Sequence, residues 1–189
     1  MYETRHVDGK TKGVINYTIW SDVFSCPECA GEVVFWDAAV DHSAGKLRDN
    51  FDCPHCGSEL SKKGLNRASL TELDIGTGRP VTCAKQVPVM VNYNVGSKRF
   101  EKRLDEFDRK VIDRVNQTKI EQWFPVDRMI EGSESRRNDP FGLTHAYHFY
   151  TRRNLIALAK IWSLCSNFSD ANHARFVFTS AHQYVNRLC

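Results

Sequence analysis

No long apolar run occurs in this sequence, and no stretch approaches the roughly 18 apolar residues that a membrane span requires. The first ten residues are polar and lack the hydrophobic region of a secretory signal. These two absences predict a cytoplasmic protein that does not enter a membrane. Apolar residues nevertheless make up 41% of the 189 residues, which is enough for a folded core.

The sequence also lacks the short motifs of several enzyme classes. It contains no Gly-x-Gly-x-x-Gly fingerprint, no P-loop and no nucleophile elbow. Its formal net charge of +3 is too small to indicate a nucleic-acid-binding protein by itself. The sequence therefore predicts no catalytic residue and no residue that binds an organic cofactor.

What the chain does contain is seven cysteines, four of which form two Cys-x-x-Cys pairs. An odd cysteine count without an export signal favours metal binding over disulfides. Each pair has the form Cys-Pro-x-Cys, with Gly31 or Gly57 shortly after it. Two such turns, brought together by the residues between them, aim four thiolates at one point. The sequence predicts a structural zinc ion held by Cys26, Cys29, Cys53 and Cys56.

Three other interpretations of this motif compete with structural zinc. A redox dithiol needs only one Cys-x-x-Cys pair, so the second pair argues against it. A catalytic zinc needs an open coordination position, which four thiolates do not leave. His55 lies between Cys53 and Cys56 and is a further candidate ligand. Because four cysteines already complete the set, we expect His55 to face solvent instead.

The charge pattern separates the cysteine region from the candidate nucleic-acid surface. Between Asp22 and Glu59 there are eight acidic side chains and only two basic ones. A zinc tetrathiolate adds about two further negative charges, so this region would repel phosphate. Elsewhere the chain has basic clusters that either contact nucleic acid or form solvated surface. The cluster interleaved with Phe100 is the candidate nucleic-acid surface, and it consists of Lys98, Arg99, Lys102 and Arg103.

Two further segments carry polar residues that could serve chemistry. Asn-Asp-Pro-Phe at residues 138–141 resembles the Asn/Asp-Pro-Pro-Tyr/Phe motif of amino-methyltransferases but lacks its second proline. A simple Asp-Pro turn before Gly142 explains it at least as well. His145 and His148 could form a ligand pair or an acid–base site, although no carboxylate is near them in sequence. The competing interpretation is a packed segment that leads into a helix at Thr151.

Hydrophobic patterning predicts an α+β fold, with an N-terminal four-cysteine zinc ribbon and small antiparallel β region followed by a helical C-terminal part. We expect strands at residues 14–20, 32–36, 46–52, 70–75 and 87–95, and helices at residues 105–116, from 151 and at 171–189. Residues 122–143 are expected to form an irregular connection. The domain prediction is a ribbon with its leading strand at 1–60, a β extension at 61–104 and a helical region at 105–189. The last helix has no stop signal, so the helical region is predicted to be incomplete.

Two segments carry a resemblance to a known family. Tyr-Thr-Ile-Trp-Ser-Asp-Val-Phe at residues 17–24 runs into the first cysteine pair, and Gly-Leu-Thr-His at 142–145 is followed by Phe-Tyr-Thr-Arg-Arg-Asn-Leu at 149–155. Together they resemble the central region of large bacterial site-specific DNA methyltransferases of the adenine-N6 type, which carry a zinc-ribbon insertion. In that family an S-adenosylmethionine motif precedes the ribbon and an Asp-Pro-Pro-Tyr-type motif follows it. Neither motif is in this sequence.

The resemblance implies a non-catalytic central segment of a DNA adenine methyltransferase, inactive alone, with S-adenosylmethionine bound only by the full-length enzyme. Its expected partners are the remainder of that enzyme or a partner subunit, and DNA. The alternative is an independent zinc-ribbon module that contacts nucleic acid or a protein. A docking segment should expose apolar side chains on its last helices, whereas an independent module should not. The side chains expected to do so are Phe176, Phe178, Tyr184 and Leu188.

Overall fold

The computed structural model describes residues 1–181, and residues 182–189 lie outside the described part of the chain. Antiparallel strands dominate the N-terminal half, the four paired cysteines cluster there, and helices dominate the C-terminal part. The predicted α+β fold is therefore confirmed. None of the described helices is long and apolar enough to cross a membrane.

The chain forms two compact units. The first, called the β unit below, contains Tyr2–Leu73 and Pro80–Asp108. The second, the helical unit, contains Met1, Asp74–Arg79 and the chain from Arg109 onward. The short Asp74–Arg79 segment thus belongs to a different unit from the strands on either side of it.

Secondary structure in the described residues has the following bounds. The strands are β1 (Glu3–Arg5), β2 (Lys12–Ser25), β3 (Glu32–Val34), β4 (Val40–Asp41), β5 (Lys46–Leu47), β6 (Asn50–Asp52), β7 (Glu59–Ser61), β8 (Asn66–Arg67), β9 (Ser69–Leu73), β10 (Pro80–Ala84), β11 (Gln86–Val95) and β12 (Lys98–Arg103). The α-helices are α1 (Phe35–Ala39), α2 (Glu106–Gln117), α3 (Ser133–Asn138), α4 (Arg152–Cys165) and α5 (Ala171–Ala181). Short 3-10 turns occupy Lys62–Gly64, Asp139–Phe141 and Ala146–Phe149.

The main sheet of the β unit has the antiparallel order β1-β2-β11-β12. The C-terminal end of β2 pairs instead with β3 and β8, so this one strand leads from the main sheet to the cysteine region. β-branched and aromatic residues fill β2 and β11, as expected for strands with a buried face. Val91 and Tyr93 on β11 are fully buried and form the centre of this sheet.

A proline interrupts the pairing of the central strand. Pro88 on β11 lies opposite Trp20, and the register between β2 and β11 shifts between Pro88 and Met90. Because proline has no N–H to donate to the ladder, a bulge is where an internal strand tolerates it. A second shift separates Asn92 from Tyr93.

The structure corrects two of the predicted strands. Residues 32–36 are not one strand, because β3 ends at Val34 and Phe35 begins α1. The ring of Phe35 packs edge-on against Phe24 at 5.5 Å and Phe51 at 5.8 Å between centroids. The short helix allows these aromatic contacts, which outweigh the strand preference of Phe and Trp. Residues 46–52 likewise form two short strands, β5 and β6, in different hairpins.

Side-chain caps mark the starts of the helices that were predicted at residues 105 and 151. Oδ1 of Asp105 accepts a hydrogen bond from the Asp108 N–H at 2.9 Å, and α2 begins at Glu106. Thr151 Oγ1 accepts from the Asn154 N–H at 3.4 Å and α4 follows. These side chains satisfy N–H groups that have no partner within the first turn. The connection predicted as irregular at residues 122–143 also contains α3 and a 3-10 turn.

Candidate metal centre

The four paired cysteines converge at one point. Their sulfur atoms all lie within 4.8 Å of one another, with 3.7 Å between Cys26 and Cys56 and 3.8 Å between Cys29 and Cys53. Four sulfurs at about 2.3 Å from a central ion lie about 3.8 Å apart in a regular tetrahedron. The separations greatly exceed the ~2.05 Å of a disulfide bond. This group of thiols can therefore hold a metal ion.

Two equivalent turns, called the knuckles below, present the cysteines. In the first knuckle, residues 26–31, Cys26 N–H donates to the Gly31 carbonyl and Ala30 N–H donates to the Cys26 carbonyl. In the second knuckle, residues 53–58, the same two bonds join Cys53 with Ser58 and Gly57. All four N···O distances are 2.9 Å. This repeated backbone geometry is local, so each Cys-Pro-x-Cys sequence specifies its own half of the site.

The residue after each second cysteine has a left-handed backbone, at Ala30 (φ 57°) and Gly57 (φ 75°). In the second knuckle this residue is a glycine, which adopts left-handed backbone without steric cost. In the first knuckle an alanine takes that conformation and Gly31 has a different role, described below. Left-handed backbone costs an alanine roughly 1 kcal/mol relative to glycine.

Hydrogen bonds and neighbouring sulfurs shift the thiol pKa values in opposite directions. The hydroxyl and N–H of Ser58 lower the pKa of the Cys56 thiol to about 6. The N–H of Gly31 lowers the pKa of Cys29, but burial and the other three sulfurs outweigh it and raise that pKa to about 12. Four thiolates this close repel one another, and a bound divalent cation would remove that penalty.

A small apolar core packs against one side of the cysteine cluster. The side chains of Cys26 and Cys53 are buried, whereas Cys29 and Cys56 are exposed. The buried pair packs with the apolar residues Val33, Ala39, Phe51 and Leu60. The site therefore has one side attached to a core and one side open to solvent.

His55 is not a member of the group of four cysteine sulfurs. It is exposed, yet its ring is not simply solvated. Nε2 of His55 lies 2.9 Å from the carbonyl oxygen of Glu32, which can only accept, so this nitrogen carries a proton. Nε2 of His55 therefore has no lone pair for a metal.

The structure places a carboxylate beside His148, and sequence reasoning missed this carboxylate. Asp74 is 7% exposed, and its Oδ1 accepts from the Tyr147 hydroxyl at 2.6 Å while its Oδ2 accepts from His148 Nε2 at 2.7 Å. The same carboxylate accepts from the N–H and hydroxyl of Thr77 and from the Gly76 N–H. All these residues belong to the helical unit. The available sequence signal was the Asp-Ile-Gly-Thr-Gly turn at residues 74–78, which does not indicate its distant partners.

Hydrogen bonds on both ring nitrogens make His148 a structural residue. Nδ1 of His148 accepts the Thr144 N–H at 3.2 Å, so the Nε2–H must face Asp74. Burial raises the pKa of Asp74, but hydrogen bonds from Tyr147, Thr77 and His148 outweigh it and hold that pKa well below its ordinary value. Burial and the carboxylate raise the pKa of Tyr147. With both nitrogens engaged, His148 has no lone pair for a substrate or metal, which favours the packed-segment interpretation.

The basic candidates do not form one surface. Lys102 has a side chain only 8% exposed, and its Nζ forms an ion pair with Asp108 at 2.9 Å and with Asp105. Arg103 pairs with Asp37 at 2.9 Å. Because side chains alternate along β12, Lys98 and Arg99 point to opposite faces. Lys102 is therefore wrongly placed for phosphate contact, while a nucleic-acid role for Lys98 and Arg99 stays a prediction.

The Asn-Asp-Pro-Phe segment forms a turn. Asp139–Phe141 is a 3-10 turn closed by the Gly142 N–H, which donates to the Asp139 carbonyl at 2.9 Å. Gly142 has φ 76°, as the Asp-Pro-turn interpretation requires of the residue that ends it. Asp139 also pairs with Arg128 at 3.3 Å.

The last two described helices and the turn between them expose apolar side chains. Phe168 is 63% and Phe176 69% exposed, and Ile161, Leu164 and Val177 are also exposed. Phe178 instead packs edge-on against Trp162 at 5.4 Å, beside a cavity of about 260 Å³ in the helical unit. Of the side chains expected to be exposed, Phe176 is, Phe178 is only partly so, and Tyr184 and Leu188 lie outside the described residues.

Comparison with known protein families, with characterised proteins and with solved structures finds no match to this chain.

Proposed function

We propose that this chain is a non-catalytic, zinc-stabilised segment of a DNA adenine methyltransferase that helps to position the remainder of the enzyme. The arrangement of four cysteine sulfurs within 4.8 Å carries the metal part of the proposal. The methyltransferase part rests on the resemblance of residues 17–24 and 142–155. Cytoplasmic location follows from the same proposal.

Zinc is the metal that best suits the donor set. Four thiolates at tetrahedral spacing are typical of structural zinc, with iron as the main competitor. Cys26, Cys29, Cys53 and Cys56 would hold the ion and fill all its positions, so the ion would supply folding free energy rather than an activated water. For so small a ribbon that contribution is on the order of 10 kcal/mol.

Metal analysis of the full chain tests the site. Protein purified from zinc-supplemented cells should contain one zinc and no iron per chain, as measured by elemental analysis and native mass spectrometry. Cys53→Ser should lose the ion and the fold of the ribbon. Cys83→Ser is the matched control, because Cys83 lies outside the cluster. One zinc per chain retained in Cys53→Ser would contradict the four-cysteine site.

The exposed apolar side chains of α4 and α5 support docking on another protein surface. Isolated exposed apolar residues are common, but five on one helix pair and its connecting turn are typical of a contact surface. The acidic ribbon, in contrast, opposes direct contact with phosphate. Docking on the rest of a methyltransferase reconciles the two observations, since the other parts of the enzyme would then contact the DNA.

Sequencing the genomic locus tests the methyltransferase proposal. We expect a glycine-rich S-adenosylmethionine motif encoded upstream and an Asp-Pro-Pro-Tyr-like motif downstream, in the same frame or in a neighbouring gene. The purified chain alone should not transfer a labelled methyl group to DNA. A locus without either motif would exclude the proposal and leave the metal site unaffected.

An independent zinc-ribbon module is the second candidate, and the compactness of the β unit favours it. That unit contains its own buried centre and the complete cysteine cluster. If the second candidate is correct, the full chain should be monomeric and monodisperse by light scattering at high concentration. The docking proposal instead expects self-association through the exposed helices, reduced by Phe176→Glu.

A further inference from the structure

His55 joins the two knuckles through a hydrogen bond. It lies between the second pair of cysteines, and its own N–H lies 3.4 Å from the Cys53 sulfur. Its ring crosses to the first half of the site, where Nε2–H donates to the Glu32 carbonyl at 2.9 Å. The side chain thus spans from one pair of ligands to the residue that follows the other knuckle.

Gly31 provides the space for this ring. A Cβ at position 31 would lie 2.6 Å from His55 Cδ2, 2.9 Å from its Cγ and 3.2 Å from the Cys29 sulfur. The first distance is far below any normal carbon–carbon contact, so a side chain at position 31 and the observed ring position are incompatible. The left-handed turn is made by Ala30, so the turn does not explain the glycine. The close approach of the His55 ring explains why position 31 is a glycine.

The equivalent position in the first knuckle shows no such bridge. Glu28 occupies the place in Cys26-Pro27-Glu28-Cys29 that His55 occupies in the second pair. Among the described residues its side chain makes no hydrogen bond or ion pair. The connection is therefore one-sided: the second knuckle holds the first, beside the exposed Cys29.

We infer that His55 is a positioning residue of the metal site, which locks the second knuckle onto the first and slows loss of the metal. This inference rests on the proposed zinc site. Release of a four-coordinate ion requires the two sulfur pairs to separate, and the His55–Glu32 bond and the contact of the ring with Gly31 must break before they do. Groups that orient ligands in this way change metal affinity by roughly 10–100-fold when removed.

Zinc transfer to a chelator tests the inference without any activity assay. The full chain loaded with one zinc is mixed with excess EDTA, and the release rate is followed at constant temperature. We expect His55→Ala to release zinc about tenfold faster or more. Glu28→Ala, the matched control, should release it at the wild-type rate. His55→Gln places an N–H donor at a similar reach and should restore most of the slow release, which separates the bridge from a general loss of folding.

A double-mutant cycle gives a second, independent measurement. Gly31→Ala should displace the ring and accelerate release, whereas adding Gly31→Ala to His55→Ala should have a much smaller effect because the clash is gone. Equal release rates for wild type, His55→Ala and Glu28→Ala, all with one zinc bound, would overturn the role of His55 and leave the zinc site standing. A wild-type chain that binds no zinc would overturn the site itself.

Discussion

Asp74 and His148 are 74 residues apart in the sequence, and Nε2 of His148 lies 2.7 Å from Oδ2 of Asp74. The other carboxylate oxygen accepts the Tyr147 hydroxyl at 2.6 Å. One buried carboxylate therefore joins the Asp74–Arg79 segment to the turn at Ala146–Phe149 within the helical unit. The relationship gives His148 the structural role of the packed-segment interpretation, through a carboxylate that the local sequence did not indicate.

Removal of this carboxylate should destabilise the protein. Asp74→Ala leaves the Tyr147 hydroxyl and the His148 N–H without their acceptor in a buried setting, which we expect to cost roughly 3 kcal/mol of unfolding free energy. Urea denaturation measures the change. Glu121→Ala, an exposed acid of the same unit, is the control and should change stability by less than about 0.5 kcal/mol. An equal change in unfolding free energy for both variants would show that the hydrogen bonds of Asp74 contribute nothing to stability.

The same carboxylate predicts a pH dependence. Its pKa is held below its ordinary value in the folded protein, so it stabilises the fold above the unfolded-state pKa of about 3.9. That contribution is lost as the pH falls from about 4 toward the lower folded-state pKa. Denaturation series over the acid range, from about pH 5 downward, should show a smaller loss of stability for Asp74→Ala than for the wild type. Parallel curves would contradict the assignment.

Gly76 should not tolerate a side chain. A Cβ there would lie 2.7 Å from both Cζ and the hydroxyl oxygen of Tyr147, which is itself fixed by Asp74. We expect Gly76→Ala to lower the melting temperature, with a loss of about 1–3 kcal/mol from overpacking. Gly132→Ala is the matched control, since its backbone is extended and a Cβ there would meet nothing within 4 Å. Equal melting temperatures for the two variants would contradict the close approach of Tyr147.

The two lysines of β12 should differ in their effect on stability, because Lys102 is buried and Lys98 is exposed. Lys102→Met leaves Asp108, which is 1% exposed, without its ionic partner and should cost about 3–5 kcal/mol. Lys98→Met on the same strand is exposed and should be nearly neutral. Thermal unfolding of the two variants measures the difference, and equal stability would mean that the Lys102–Asp108 pair is unimportant.

If the chain binds DNA, Lys98 and Arg99 are the members of that cluster that form no ion pair within the described part of the chain. Joint reversal of their charges should weaken binding and reduce the slope of log affinity against log salt by about 2. The fold should be unaffected. Unchanged affinity and slope would place any DNA-binding surface elsewhere on the chain.

Local sequence predicted the helix starts better than the strands. The helix starts near Asp105 and Thr151 were predictable because each residue caps its helix, and a cap is formed by residues within one helical turn. The predicted strand at 32–36 was half wrong because the conformation of Phe35 depends on Phe24 and Phe51, which are distant in sequence. The two acids that pair with Lys102 are close to it in the sequence, but the sequence did not indicate that the lysine is buried with them.

By itself, the sequence determined the candidate metal site and the α+β class, since each Cys-Pro-x-Cys turn is fixed by its own backbone hydrogen bonds and the helix and strand periods are read locally. Only the tertiary structure decided which groups act together. Two contacts join residues whose proximity no local pattern encodes: the ring of His55 against Gly31, and the Asp74 carboxylate with Tyr147 and His148. The burial of Lys102, whose partner Asp108 is close in sequence, was likewise decided by the fold. Such contacts form because folding buries polar groups only where a partner is available, and that partner is chosen by chain topology.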